Sequence, residues 1–199
     1  MKHTLINIGR QFGSGGKSIA SAISQRLGIP VYDQELIVRA AEQSGFSRQL
    51  FERSYERRDF LFGLSIPRFG FAKDFVGDDN IFEIQSQIIR DIAEKESAIF
   101  VGRASEYVLR DMDCLDVFIC APLENRIRRV CERTGQTPEQ AAALIARKDR
   151  TRKRYYDYFT LGNWGEASGY DLCVDSSLLG VEGSAELIID FGRKAGLIG

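Results

Sequence analysis

The stretch that decides the fold is QFGSGGKS, residues 11–18. It follows the apolar run TLINIG, residues 4–9, and leads into KSIASAISQRL, residues 17–27. A phosphate-cradling loop reads G-x-x-x-x-G-K-[ST], with backbone N–H groups and a helix N-terminus aimed at an anion. Gly16-Lys17-Ser18 matches the end of that pattern, and Gln11 stands at its first glycine. The placement after a strand and before a helix is the one the mechanics require. Gly13, Gly15 and Gly16 can take the positive φ values that turn successive amides inward. On this reading Gly13, Ser14, Gly15, Gly16, Lys17 and Ser18 bind nucleotide phosphates, Lys17 reaching the β- and γ-phosphates and Ser18 ligating magnesium. Arg10 and Gln11 can add phosphate donors. The competing reading is an ordinary glycine turn.

The rest of the chain bounds what such a loop can serve. Its 199 residues fit one domain with a real core. With 44% hydrophobic and 28% charged residues, the composition is that of a globular protein. A net charge of −1 offers no general attraction to nucleic acid or to an anionic membrane. No apolar run approaches the ~20 residues of a spanning helix, and MKHTLINIG is too short for a signal peptide. The four cysteines, at 114, 120, 131 and 173, form no C-x-x-C pair, and His3 is the one histidine, so a Cys/His zinc site is not expected. Cys120 and Cys173 lie in apolar strand-like runs and read as reduced core residues of a cytoplasmic protein.

Short β-rich runs alternate with longer helical patterns. Strands are expected at 4–8, 29–32, 98–101, 115–120 and 172–174, several of them apolar on consecutive residues, as in parallel strands covered on both faces. Helices are expected at 17–27, 34–43, 81–94, 123–133, 138–158 and 182–194. Thr137-Pro138-Glu139-Gln140 is a helix start, with a Thr cap, Pro in the first turn and Gln three residues after the cap. The alternation predicts an open parallel α/β sheet of about five strands. Two segments break the rhythm. Residues 46–80 hold seven of the thirteen phenylalanines, and residues 137–169 hold a basic helix and a glycine-containing loop. Both read as insertions into one domain spanning 1–199.

GRQFGSGGKS followed by LGIPVYDQELI resembles the cytidylate kinase-like family, a branch of the nucleoside monophosphate kinases, and the resemblance covers nearly the whole chain. The family's strand ending in Asp, with an Arg six residues on, corresponds here to Asp33 and Arg39 in VYDQELIVR. Its strand ending in Gly-Arg-Asp corresponds to AIFVGRA, with Gly102 and Arg103, and with Ala104 in place of the Asp. DVFICAPLENRIRRV is similar to its strand followed by an Arg-rich helix. ARKDRTRKR, residues 146–154, is similar to its arginine-bearing lid. The resemblance implies a P-loop kinase fold with an acceptor-binding insert at about 46–80 and a lid at about 137–169. It implies ATP and Mg2+ as cofactors, a small-molecule nucleotide as partner, and no nucleic acid or membrane.

Each matched residue also has a reading of its own. Ligands of open α/β folds bind beyond the carboxyl ends of the strands, where Asp33 and Arg103 stand. Asp33 can hold a magnesium-bound water or orient the acceptor; it can also simply cap the next helix. Arg39 and Arg103 suit the acceptor phosphate, because guanidinium grips phosphate bidentately. Arg39 also fits a solvated helix face, and Arg103 a surface ion pair. Arg147, Arg150 and Arg154 are spaced to share one helix face, and Arg150 and Arg154 are catalytic candidates with Lys17, Asp33 and Arg103. That run equally fits a solvated face, with Asp149 orienting a neighbouring arginine. RYYDYF, residues 154–159, offers aromatic anchors, and Trp164 fits adenine stacking or packing. The expected reaction is ATP-dependent phosphoryl transfer to a nucleoside monophosphate, with cytidylate as a candidate. A non-catalytic nucleotide sensor, a kinase for another small acceptor and a nucleic-acid-binding module are the competing classes.

Overall fold

A computed structural model describes residues 3–33, 75–162 and 164–199. Five parallel strands form one sheet: β1 (Leu5–Arg10), β2 (Val31–Tyr32), β3 (Ala98–Val101), β4 (Leu115–Cys120) and β5 (Leu172–Asp175). Their order is β2-β3-β1-β4-β5, so β1 is central and its carboxyl end lies between those of β3 and β4. Among the described residues, six α-helices accompany them: α1 (Gly16–Leu27), α2 (Phe75–Lys95), α3 (Ser105–Val108), α4 (Leu123–Thr134), α5 (Pro138–Thr160) and α6 (Ser176–Lys194). The expected α/β class and five-stranded parallel sheet are thus observed.

Side-chain alternation divides the apolar strand residues between two cores. Ile6, Ile8, Ile99, Val101, Val117 and Ile119 face Ile19 and Ile23 of α1 and Ile188 and Ile189 of α6. Leu5, Ala98 and Phe100 face Ile88, Ile89 and Ala93 of α2 and Val108 of α3. Burying each large side chain of this kind contributes about 1.5–3 kcal/mol, which favours the doubly covered arrangement. A third cluster, Val130 of α4 with Ala141 and Ile145 of α5, joins those helices to Phe12 of the loop.

Several details differ from expectation. Helix α2 begins at Phe75, and α6 begins at Ser176 with a break at Gly180, where φ is 66° and ψ is −165°. Helix α3 was not foreseen; four residues are too short to show a helical period. Cys173 is exposed, not core: β5 is an edge strand, and only Val174 of it is fully buried. All four cysteines are free thiols. The helix expected at 34–43, Arg39 and the insert up to residue 74 lie outside the described residues. Among the described residues, no helix is long and apolar enough to cross a membrane.

Helix α5 starts as expected. Thr137 Oγ1 accepts from the Gln140 amide at 3.4 Å, and Gln140 Oε1 accepts from the Thr137 amide at 3.1 Å. Thr137→Ala is expected to cost about 1 kcal/mol in urea unfolding, with nucleotide affinity unchanged, because the hydrogen bonds of the cap stay within α5.

Candidate active site

The loop between β1 and α1 is built as the motif requires. Gly13 and Gly15 have φ of 83° and 86°, and Gly15 caps α1, whereas Gly16, for which a positive φ was also expected, is the first residue of the helix and has none. The left-handed conformation at both positions is one that side chains resist. The first intrahelical bond runs from the Ile19 amide to the Gly15 carbonyl. The N–H groups of Gly16, Lys17 and Ser18 therefore belong to the first helical turn, which has no intrahelical acceptor for them. Ser14 is buried and donates to the Gln11 carbonyl at 2.9 Å. Gln11 is a tether: its amide donates to Ile119 O at 3.0 Å, and its Oε1 accepts from the Ala121 amide at 3.2 Å. It ties the loop to the end of β4.

Three arginines hold the loop from outside. Arg152 Nη1 donates to Arg10 O at 2.9 Å, Arg126 Nη1 to Phe12 O at 3.4 Å and Arg129 Nη1 to Ser14 O at 3.0 Å. Arg129 also bonds Ser176 through its hydroxyl and carbonyl, both at 2.9 Å, fastening the loop to the start of α6. Buried Arg126 pairs with Asp149 Oδ2 at 2.6 Å, while Asp149 Oδ1 accepts the Phe12 amide at 2.7 Å. The Phe12 ring lies under the guanidiniums of Arg133 and Arg152, 5.2 and 5.5 Å from its centroid. Asp149 does orient an arginine, but on α4. The arginines of α4 act as loop braces that sequence reasoning did not single out. Their signal was the 126/129 spacing in the quoted Arg-rich helix.

The predicted residues come together in part. Lys17 Nζ lies 2.8 Å from Asp33 Oδ2, the lysine 78% exposed and the aspartate 18%. Ser18 is exposed in the first turn of α1. Arg103 follows β3 in a turn whose residues Gly102, Arg103 and Ala104 all have positive φ, at 76°, 68° and 52°. For the two non-glycine residues this conformation costs on the order of 1–3 kcal/mol each, and such strain clusters at functional sites. The Arg103 guanidinium sits 5.2 Å from the Tyr155 ring centroid, and burial makes its charge costly, lowering its pKa. Ala104 is buried and heads α3 without a side-chain cap.

Arg147, Arg150 and Arg154 are exposed, in contrast to Asp149 and Arg152. The reason is helix phase. Ala141 and Ile145 pack inward on Val130, and residues 149 and 152 continue that face at spacings of four and three, whereas 147, 150 and 154 fall roughly opposite. The aromatic anchors act as expected: Phe159 stacks on Phe82 of α2 at 4.2 Å, and Tyr155 donates to Gln85 at 3.3 Å. Trp164 packs edge-on against Phe118 at 5.5 Å, its amide donating to Asp157.

Buried Glu106 of α3 lies beneath this turn, 3.5 Å from the Tyr170 hydroxyl, with Oε2 unpartnered. Burial, helped by repulsion from Asp116, pushes its carboxyl up to about 7, against hydrogen bonds and Arg10.

Residues 5–178 match the sequence model of the cytidylate kinase-like family. The cytidylate kinase of Aeropyrum pernix is 26% identical over 187 residues, covering 93% of this chain and 96% of that one. That of Methanobrevibacter smithii is similar to the same extent: 26% over 187 residues, with the same coverage. The crystal structure of an uncharacterized protein from Eubacterium ventriosum superposes with a TM-score of 0.74 at 26% identity, over 95% of this chain and 98% of that chain. A shikimate kinase from Bacteroides thetaiotaomicron shares the fold, with a TM-score of 0.54 at 15% identity over 96% and 98%.

Glu106 generates a pH prediction. Its folded pKa, about 7, lies above the ordinary 4.5. The folded state therefore binds the proton more tightly. The associated stability is complete below about pH 4.5 and is lost as pH rises through 7. Glu106→Gln should remove this loss, on the order of 3 kcal/mol at pH 8. Thermal melts at pH 5 and pH 8 should show the variant gaining on the parent only at the higher pH.

Proposed function

This chain belongs to the cytidylate kinase-like family, and on that premise we propose that it moves the γ-phosphoryl group of ATP onto a nucleoside monophosphate, with cytidylate the first candidate. A nucleoside monophosphate kinase-like phosphotransferase on a nucleotide-binding loop is the coarser statement, and it holds for the family. The observation that supports the finer one is the pairing of the exposed Lys17 ammonium with Asp33 at the end of β2, with Arg103 following the neighbouring strand β3 within reach of the Asp33 charge.

The loop amides and Lys17 hold the donor's β- and γ-phosphates. Arg103 binds the acceptor phosphate, with Arg39 as its proposed partner. An acceptor oxygen attacks the γ-phosphorus, the bond to the β–γ bridging oxygen breaks, and ADP and a nucleoside diphosphate result. The acceptor phosphate is already anionic, so no strong general base is needed. The Ser18 hydroxyl and the Asp33 carboxylate are hard oxygen donors that fit Mg2+, a cation that keeps several waters and shares substrate phosphates. When bound, the metal neutralises charge on the β- and γ-phosphates. Asp33 otherwise orients Lys17. The insert at about 46–80 is proposed as the acceptor subdomain, and the segment at about 137–169 as a lid closing over the phosphates. The free cysteines support a reducing, cytoplasmic setting.

Two outcomes test this. In a panel of monophosphates with ATP and Mg2+, ADP release should rise with at least one acceptor, cytidylate first; no release with any would leave a nucleotide-binding sensor. Lys17→Ala should lower kcat about a hundredfold or more with an unchanged circular dichroism spectrum, and unchanged turnover would remove the loop from the mechanism.

A further inference from the structure

Arg10 has no part in the scheme above, yet its side chain crosses the carboxyl end of the sheet from β1 to the turn after β3. It ends β1 and reaches across to the turn after β3, where a Cβ on Gly102 would collide with its Nη1. At its base, a Cβ on Gly16 would lie 2.8 Å from the Arg10 Cβ. The side chain thus spans from the first residue of α1, beside Lys17, to the residue preceding Arg103. Arg152 approaches from α5 and donates to the Arg10 carbonyl at 2.9 Å.

The charges around it are unbalanced. Burial, then repulsion from Arg152 and Arg103, lowers the pKa of Arg10, and among the described residues Asp33 and Glu106 oppose this. Asp33 already pairs with Lys17, and Glu106 is only partly ionised near neutral pH. Among the described residues, cations outnumber carboxylates around this buried guanidinium, an arrangement that an arriving polyanion relieves. A phosphoryl group in flight spreads negative charge over three equatorial oxygens, and a guanidinium fork suits two of them.

We propose that Arg10 contacts the transferring phosphoryl group, between the Lys17 loop and Arg103, and stabilises it most strongly in the transition state. This rests on the phosphotransferase reading above. Arg10 is then a catalytic arginine supplied by the central strand, and Gly102 is the residue that leaves room for it.

The test compares Arg10→Lys and Arg10→Ala with the parent chain, using ATP, Mg2+ and whichever monophosphate the parent phosphorylates best. Calorimetry gives Kd for ATP and for the monophosphate separately. The expected pattern is a kcat reduced about a hundredfold or more, with each Kd changed by less than about fivefold. Free guanidinium should partly restore Arg10→Ala. A kcat within about threefold of the parent, or a loss confined to ATP affinity, overturns the proposal. Should the variants fail to fold, the Arg10 Nε–H resonance of the parent decides. It should shift more with ADP, aluminium fluoride and monophosphate together than with ADP or monophosphate alone; equal shifts overturn the role. The two failures are distinct. A parent inactive on every monophosphate defeats the kinase reading, whereas an active parent with active Arg10 variants defeats only Arg10.

Discussion

The site depends on where the carbonyls of residues 10, 12 and 14 go. Each accepts from a different guanidinium: Arg152, Arg126 and Arg129. A loop that is to offer its amides to an anion must turn its carbonyls elsewhere, and a carbonyl turned inward would repel phosphate. The arginines make the outward orientation favourable, and Gly13 and Gly15 make it sterically possible. Because the arginines come from α4 and α5, the packing of Val130 on Ala141 and Ile145 determines the loop's shape. Arg129 extends the same logic to Ser176 at the end of β5. The loop is therefore held by elements from the second half of the chain, more than 100 residues away in sequence.

The bracing arginines and the proposed binder Arg103 are chemically alike but differ in what they touch. Arg126 is buried and has a half-buried carboxylate partner, Asp149, so that removing Asp149 would leave a buried charge uncompensated. Arg103 instead rests on an aromatic face, at the end of a strained turn. Its guanidinium is positioned by the Tyr155 ring and by the backbone conformation of the turn, with the Asp33 carboxylate favouring its charge. Arg129 is satisfied without a carboxylate, by the Ser14 carbonyl and by Ser176.

Much of this was legible in the sequence. Apolar runs on consecutive residues marked the strands, and the glycine cluster at a strand–helix junction marked the loop. The Thr137–Gln140 box appeared where it was read. β1 extends past the apolar run because Gly9 and Arg10 pair with Phe118 and Ile119, which hydrophobicity does not encode. The inward face of α5 was missed for a related reason. Spacing alone identifies which residues share a face, and 147, 150 and 154 do share one; which face is buried depends on the partner. The roles of Arg126 and Arg129 were hidden because their targets are backbone carbonyls, which have no residue signature. Cys173 looked like core because strand patterns do not distinguish an edge from a centre.

The contact between Arg10 and Gly102 also limits how the two positions can change over evolutionary time. With arginine at position 10, any side chain at 102 meets its guanidinium, and the positive φ there adds a second objection. With a short residue at 10 the steric objection disappears. The two sites should therefore covary among homologous chains: arginine at the end of the central strand obliges glycine at the end of its neighbour, while side chains at the neighbour appear only where the arginine has been lost.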